Sequence, residues 1–214
     1  FLDSFGFAYE FKSSTECYRS GVFDEGLEKI FDSYDEIKAV FTETIHEDKR
    51  ERWSPFFVVC EGCGKVYSTT VVEVEREDRR IRYQCDQDVG DVPGCGHQGE
   101  ISVTGGQAKV GWKIDWALRW YTLGVDYEMH GKDLIDSVSV SSKVCRILGK
   151  PPPLTYKYEL FHDETGRKIS KTLGNGITME QWIDYSPLGG LIHFLLGNPN
   201  KPTKMGLPIL PKLV

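Results

Sequence analysis

Hydrophobic and polar positions follow two rhythms along the chain, and the changes between them mark its organisation. Residues 1–11, FLDSFGFAYEF, alternate apolar and polar side chains, which predicts a strand. Over 20–42 the period lengthens: Phe23, Leu27, Ile30, Phe31, Tyr34, Ile37, Val40 and Phe41 recur at steps of three and four. That spacing predicts one amphipathic helix with a solvated charged face. The charged run 43–52, ETIHEDKRER, ends it. Residues 55–75 and 79–85 are rich in β-branched side chains with short alternations and predict strands, while 86–100 is turn-rich. Trp112, Trp116 and Trp120 step by four along a helix, with Trp116 and Trp120 read as core and Asp115–Arg119 as a surface ion pair at i, i+4. Val125, Tyr127 and Met129 alternate as a strand that Gly131 breaks. A helix through Leu134, Val138, Cys145 and Leu148 follows and ends at Gly149. Strand, glycine turn and helix in that order form an α/β unit, which places ligands at the carboxyl end of the strand. A strand at 154–161, a turn at 163–166, helices at 178–185 and 188–197 and a proline-rich loop at 199–211 complete the reading.

Composition narrows the class. Of 214 residues, 40% are apolar and 27% charged, which is the balance of a globular chain. No apolar run approaches the ~20 residues that span a bilayer, so no membrane partner is expected. No stretch has the basic, apolar and small-residue succession of a signal peptide, and a cytoplasmic location is expected. The chain begins at Phe1 in what reads as ordered sequence, and is expected to be an internal piece of a larger protein. The net charge of −6 argues against a small dedicated DNA-binding module, and less against an enzyme that handles RNA.

Four of the six cysteines, Cys60, Cys63, Cys85 and Cys95, fall within 36 residues. Cys60-Glu61-Gly62-Cys63-Gly64 has the form of a zinc knuckle, two thiolates two residues apart with a glycine to relax the turn. Cys95-Gly96 supplies a second such ending. Cys85 is its first member across nine residues rather than two, and His97 competes for the same place. Cys85 is preferred because it ends a strand. Four protein ligands leave no open coordination position, so the expected Zn2+ is structural. Cys17 and Cys145 read as ordinary core or surface residues.

Residues 167–176, RKISKTLGNG, place Lys168 and Lys171 around Ile169-Ser170, with Thr172, Gly174 and Gly176 following. Two preorganised lysines on a glycine-hinged loop can stabilise charge developing on a nucleoside triphosphate. The Ser170 and Thr172 hydroxyls can hydrogen-bond phosphate oxygens or cap the loop. Read without context, the same segment is also compatible with a solvated basic turn.

The segment Lys168-Ile169-Ser170-Lys171-Thr172, set after YELFHDETGR, resembles the second signature loop of class I aminoacyl-tRNA synthetases, with Ile169 and Thr172 as departures from the usual Met and Ser. SSTECYRSGVFDEGL (13–27), GWKIDWALRWYTLGVDYEMHGKDLIDS (111–137) and YELFHDETGRKISKTLGNG (158–176) together resemble the class I lysyl-tRNA synthetases. The resemblance implies an α/β fold: part of a Rossmann-like nucleotide-binding domain, a zinc-ribbon-like β insert and the start of an α-helical C-terminal domain. The corresponding divisions are 1–55, 56–104, 105–176 and 177–214. It implies activation of lysine with ATP and Mg2+, release of pyrophosphate and transfer of lysine to tRNA(Lys). By position, Lys168 and Lys171 match the phosphate-binding lysines, Gly131 and Asp133 the turn that meets adenosine or the amino acid, and Trp112 the aromatic that packs on the substrate lysine. A tryptophan face suits an alkyl chain ending in an ammonium. Asp133 is also suited to capping a helix N-terminus.

The five histidines are His46, His97, His130, His162 and His193, and none forms the family's earlier His-x-Gly-His signature. Leu134 stands where relatives often carry His. The chain is therefore expected to hold half of an active site and to be inactive alone. Two alternatives remain at this stage, a non-catalytic zinc-ribbon RNA-binding module and a class I paralogue that activates another amino acid.

Overall fold

In a computed structural model, residues 2–42, 47–50, 52–206 and 209 are described. They form a mixed α/β chain with small sheets, divided into two compact units. The larger unit comprises Phe11–Asp126 and Asp136–Leu154, and the smaller comprises Phe1–Glu10, Tyr127–Ile135 and Thr155–Val214.

The larger unit opens with α1 (Ser14–Arg19), whose N-cap Ser13 accepts a hydrogen bond from the Glu16 amide. The single helix expected over 20–42 is instead α2 (Asp24–Asp32) and α3 (Tyr34–Thr42), parted at Ser33. Gly21, at φ +83°, turns the chain before α2 begins. The apolar stripe runs unbroken through the parting, with Leu27, Ile30 and Phe31 buried before it and Tyr34 and Ile37 after. Of the charged run, 43–46 and 51 lie outside the described residues, and Glu47–Arg50 form the one-turn α4.

Strand β1 (Phe56–Val58) pairs antiparallel with β5 (Ala108–Val110) in the register Phe56↔Val110. Between them β2 (Thr70–Glu75), β3 (Arg80–Gln84) and β4 (Gln98–Ser102) form an antiparallel meander, with a bulge at Val71/Glu73. β4 occupies the end of the segment expected to be all turn, because Gln98–Ser102 find Arg80–Gln84 as an edge to pair with. Helix α5 (Trp112–Leu123) follows directly and ends at Gly124, whose φ of +63° and N–H to Trp120 O are those of a left-handed C-cap. Gly26 of α2 lies against α5: a Cβ there would run into Leu118 Cδ1 and meet Thr122 Oγ1 at 3.1 Å. Helix α6 (Ile135–Ile147) buries Val138, Val144 and Cys145, and its Ser141 hydroxyl donates to Lys113 O at 2.8 Å.

In the smaller unit the strand expected over 1–11 is absent. Leu2–Phe5 form a 3-10 turn, and Phe7 and Tyr9 are exposed, as is Phe11 at the start of the larger unit. Alternation fits a strand only where another backbone is present to pair with, and none of the described strands does so. Strand β6 (Tyr127–Gly131) pairs with β7 (Leu154–Tyr158). Gly131 closes β6 rather than breaking it, and Lys132–Leu134 form a 3-10 turn before α6. The strand expected over 154–161 is divided, because β8 (Phe161–His162) pairs instead in parallel with β9 (Thr203–Lys204), inside the stretch read as loop. Helix α7 (Met179–Tyr185) starts in a capping box made by Thr178 and Gln181. With α8 (Leu188–Gly197) it encloses a core of Trp182, Leu191 and Met205. Among the described residues no helix is long and apolar enough to cross a membrane.

Candidate functional site

The lysine-bearing loop is held by its own sequence. After β8, Asp163 folds the chain back: its Oδ1 accepts the Thr165 and Arg167 amides, both at 2.9 Å, and the Thr165 hydroxyl at 2.7 Å. Gly166, at φ +88°, takes the left-handed position this turn requires. Lys168 then bridges back to His162, and the Ile169 amide donates to Phe161 O at 3.0 Å. The Ile169 side chain packs against the Trp182 core, and Gly176 leaves it room, since a Cβ there would lie 2.6 Å from Ile169 Cγ2. Lys171 and Thr172 form an exposed crest, while Ser170 is half-buried with its amide on Asn175 Oδ1 at 2.9 Å.

Lys168 Nζ lies 3.0 Å from Asp133 Oδ2, joining two of the expected site residues across 35 positions of sequence. The hydrogen bond from Lys168 holds the Asp133 carboxyl below its usual pKa. Asp133 sits in the 3-10 turn after β6. A Cβ on Gly131 would stand 2.7 Å from Asp133 Oδ1, the tip of a half-exposed side chain that can swing aside. The Gly131 φ of −68° is open to any residue, and the remaining neighbours of such a Cβ lie at ordinary contact distance. His130 is buried, with Nδ1 3.0 Å from Gly131 O. Among the described residues Lys171 has no ion-pair partner, which leaves its ammonium available to an anion.

Trp112 belongs to the larger unit. It starts α5, is 50% exposed and stacks on Trp116 at 5.3 Å, so one face remains open to a ligand. Trp116 and Trp120 are buried, as expected of core residues. Asp115 and Arg119 do pair, at 2.9 Å, with the Arg119 side chain partly exposed but the Asp115 side chain covered. Asp115 is buried and also accepts the Tyr18 hydroxyl at 2.7 Å. Burial, followed by the charge of Asp115, drives the Tyr18 phenol far above its usual pKa.

Cys60, Cys63, Cys85 and Cys95 converge. All four Sγ atoms lie within 4.8 Å of one another, with Cys60–Cys95 at 3.6 Å and Cys63–Cys85 at 3.8 Å. A tetrahedral ion at ~2.3 Å from each sulfur sets them ~3.8 Å apart, so the donor set fits zinc. His97 is outside this group, with Nε2 3.9 Å from Glu61 Oε2. Each second cysteine is followed by a left-handed glycine, Gly64 at φ +71° and Gly96 at φ +78°. The nine residues between Cys85 and Cys95 leave and return: the Gly96 amide donates to Cys85 O at 2.9 Å, and Gly94 lies so near that carbonyl that a Cβ has no room. Burial raises the Cys85 thiol pKa, but the Ser68 hydroxyl and the Cys95 amide outweigh it and bring the thiol down to about 6. Cys17 and Cys145 are buried away from this group.

Two residues of the loop carry no obvious sequence signal. Asp163 and Asn175 are not singled out by the sequence reading, yet their side chains meet at 2.7 Å. Only the small polar side chain set between two glycines pointed to the second.

Comparison with known proteins places these features in a family. The family model described as tRNA synthetases class I (K) matches residues 1–214. The lysine–tRNA ligase of Rickettsia felis is 40% identical over 214 residues, covering 100% of this chain and 39% of the relative. Those of Rickettsia akari and Rickettsia africae are 41% and 40% identical over the same 214 residues. The chain thus spans about two-fifths of the length of the curated relatives it matches, at 39% and 40% of them.

Proposed function

The chain belongs to the class I (K) tRNA synthetases, and on that premise we propose that it supplies the signature-loop half of a lysine–tRNA ligase. Residues 1–55 are part of its catalytic and connecting region and 56–104 its zinc-ribbon-like insert. Residues 105–176 are the second half of its Rossmann-like nucleotide-binding domain, and 177–214 begin its helical tRNA-binding region. The enzyme acts in the cytoplasm, on lysine, ATP and tRNA(Lys), with no membrane or DNA partner.

In this reading a lysine carboxylate oxygen attacks the α-phosphorus of Mg2+-bound ATP, the bond to the β-phosphate breaks and pyrophosphate leaves. Negative charge grows on the departing phosphates. Lys168 and Lys171 meet it with ammonium groups held near the phosphate path, which lowers the barrier more than it tightens ground-state binding. The Ser170 and Thr172 hydroxyls add neutral donors. Gly131 gives the backbone close approach to adenosine, and Asp133 accepts ribose hydroxyls once Lys168 turns to phosphate. The open face of Trp112 packs along the methylenes of the substrate lysine. The tRNA 3′-terminal hydroxyl then attacks the activated carbonyl and AMP leaves. Cys60, Cys63, Cys85 and Cys95 would hold Zn2+, which cross-links the insert and takes no part in the chemistry.

The observation that carries the proposal is the pairing of Lys168 with Asp133 on a tethered loop, within a chain matched by the family from end to end. The test is ATP–pyrophosphate exchange with each of the twenty amino acids, on the chain alone and with the remaining family-length sequence supplied. Lysine-only exchange that requires the added sequence and vanishes in Lys168→Ala and Lys171→Ala is the expected result. Exchange with another amino acid would make the chain a paralogue. A family-length protein that binds tRNA with a steep salt dependence and never exchanges would be a binding module.

A further inference from the structure

The base of the KISKT loop is fastened by one side-chain pair. Asn175 Oδ1 accepts the Ser170 amide at 2.9 Å. Its Nδ2 donates to Asp163 Oδ2 at 2.7 Å and to Lys168 O at 3.3 Å. Asp163 Oδ1 meanwhile accepts the Thr165 and Arg167 amides. These two residues satisfy backbone groups on both sides of Ile169, whose side chain is itself anchored in the core. The crest from Lys171 to Gly174 is exposed and, among the described residues, is closed by amide donations from Gly174 to Ser170 O and Lys171 O. The loop is therefore fixed at its root and free at its tip.

The chemistry of position 175 is demanding. It must accept from one backbone amide while donating to a carboxylate and a carbonyl, which a primary amide does with one planar group. Leucine has the shape without the partners. Aspartate would set a second carboxylate against Asp163 where the amide now stands at 2.7 Å. The Asp163 carboxyl is held far below its usual pKa, first by the Thr165 hydroxyl and next by Asn175, so it stays ionised to receive the amide.

We propose that Asn175, held by Asp163, is the positioning residue of the phosphate-binding loop: it fixes the backbone from which Lys168 and Lys171 project. The proposal rests on the synthetase reading for the role of the lysines, and on geometry alone for the tether.

Trypsin cuts after lysine and therefore reports on the loop directly. In this chain Asn175→Ala is expected to speed cleavage after Lys168 and Lys171 about tenfold, a loss of ~1.4 kcal/mol against local opening, with cleavage after Lys29 in α2 unchanged. Asn175→Asp is expected to be cut faster still. The exchanged pair Asp163→Asn with Asn175→Asp restores donor to acceptor between the two side chains, though not to Lys168 O, and should recover part of the protection, which general loss of structure would not do. In a family-length enzyme the same variants should lower kcat of lysine-dependent exchange about tenfold with the lysine KM unchanged, as expected for a defect confined to the transition state. Unchanged cleavage in Asn175→Ala, or a double variant no better protected than Asn175→Asp, overturns the tether. A defect in lysine KM alone overturns the positioning role. A wild type silent in exchange, with the cleavage pattern intact, overturns the synthetase reading and leaves the tether standing.

Discussion

Replacing Asp133 by alanine separates two jobs that its position allows. In the structure it holds Lys168 Nζ at 3.0 Å, with the two side chains 49% and 55% exposed. Two unit charges at that distance in water attract by ~1.4 kcal/mol. Ionic screening and the ordering of two mobile side chains reduce such exposed pairs to ~0.2–1 kcal/mol. Lys168 can therefore leave Asp133 for a phosphate at a cost of no more than about fivefold in affinity, from RT ~0.59 kcal/mol. If holding Lys168 were the only task of Asp133, Asp133→Ala would be nearly silent or would improve ATP use. If it accepts ribose hydroxyls, a charge-assisted hydrogen bond of ~1.5–3 kcal/mol is lost, or about 10- to 150-fold in kcat/KM. Lys168→Ala removes a cation from the developing phosphate charge, and the comparable loss of an oxyanion donor is ~10²–10³ in kcat. The assay is lysine-dependent ATP–pyrophosphate exchange on both single variants and the double variant, with urea unfolding of each. The expected coupling in stability is below ~1 kcal/mol. An Asp133→Ala enzyme within about fivefold of wild type would refute the ribose contact, as that much the ion pair alone explains.

Three further outcomes are expected. The purified chain should carry one zinc, and Cys85→Ser or Cys60→Ser should abolish it and unfold the β2–β3–β4 meander, read by elemental analysis and circular dichroism; a folded metal-free wild type would overturn the site. Gly26→Ala should destabilise by ~1–2 kcal/mol, because overpacking against buried Leu118 outweighs the gain in helix propensity. Gly189→Ala in α8, with open space at its Cβ, should gain up to ~1 kcal/mol, and urea unfolding compares the signs. Asp163 has a depressed folded pKa, so its contribution is fully present above the unfolded carboxylate value of ~3.9 and is lost only as pH falls through the lower folded one. Amide exchange at Thr165 and Arg167, corrected for intrinsic rates, should show constant protection from pH 5 to 7; Asp163→Ala should lack it throughout, and protection in that variant would contradict the turn.

Local chemistry was legible from the chain because it is made by neighbours. Cys60, Cys63 and Gly64 form a knuckle within five residues, since the left-handed turn needs only its own glycine. Lys168, Ser170, Lys171 and Thr172 mark a candidate anion-binding loop by residue type, but that spacing alone also suits a solvated basic turn, and it was the resemblance of the flanking segments that favoured the first reading. Trp116 and Trp120 are buried in α5 as read, while Trp112 on the same stripe is half exposed and Ile114, Ala117 and Leu118 are buried as well. Periodicity carried no sign of the parting at Ser33, because Tyr34 and Ile37 continue the stripe that Ile30 and Phe31 begin. It also called a strand at 1–11, since alternation records which side chains could face a core and not whether a second backbone is there to pair. Tertiary structure alone decided what joins distant residues. It paired β8 with β9 across 42 positions and drew Tyr18 onto Asp115. It also set Lys168 on Asp133 and Asn175 on Asp163. The residue types that can bind phosphate or metal are written in the sequence. Their distances depend on chain closure, whose cost is met only by the packing of the whole unit.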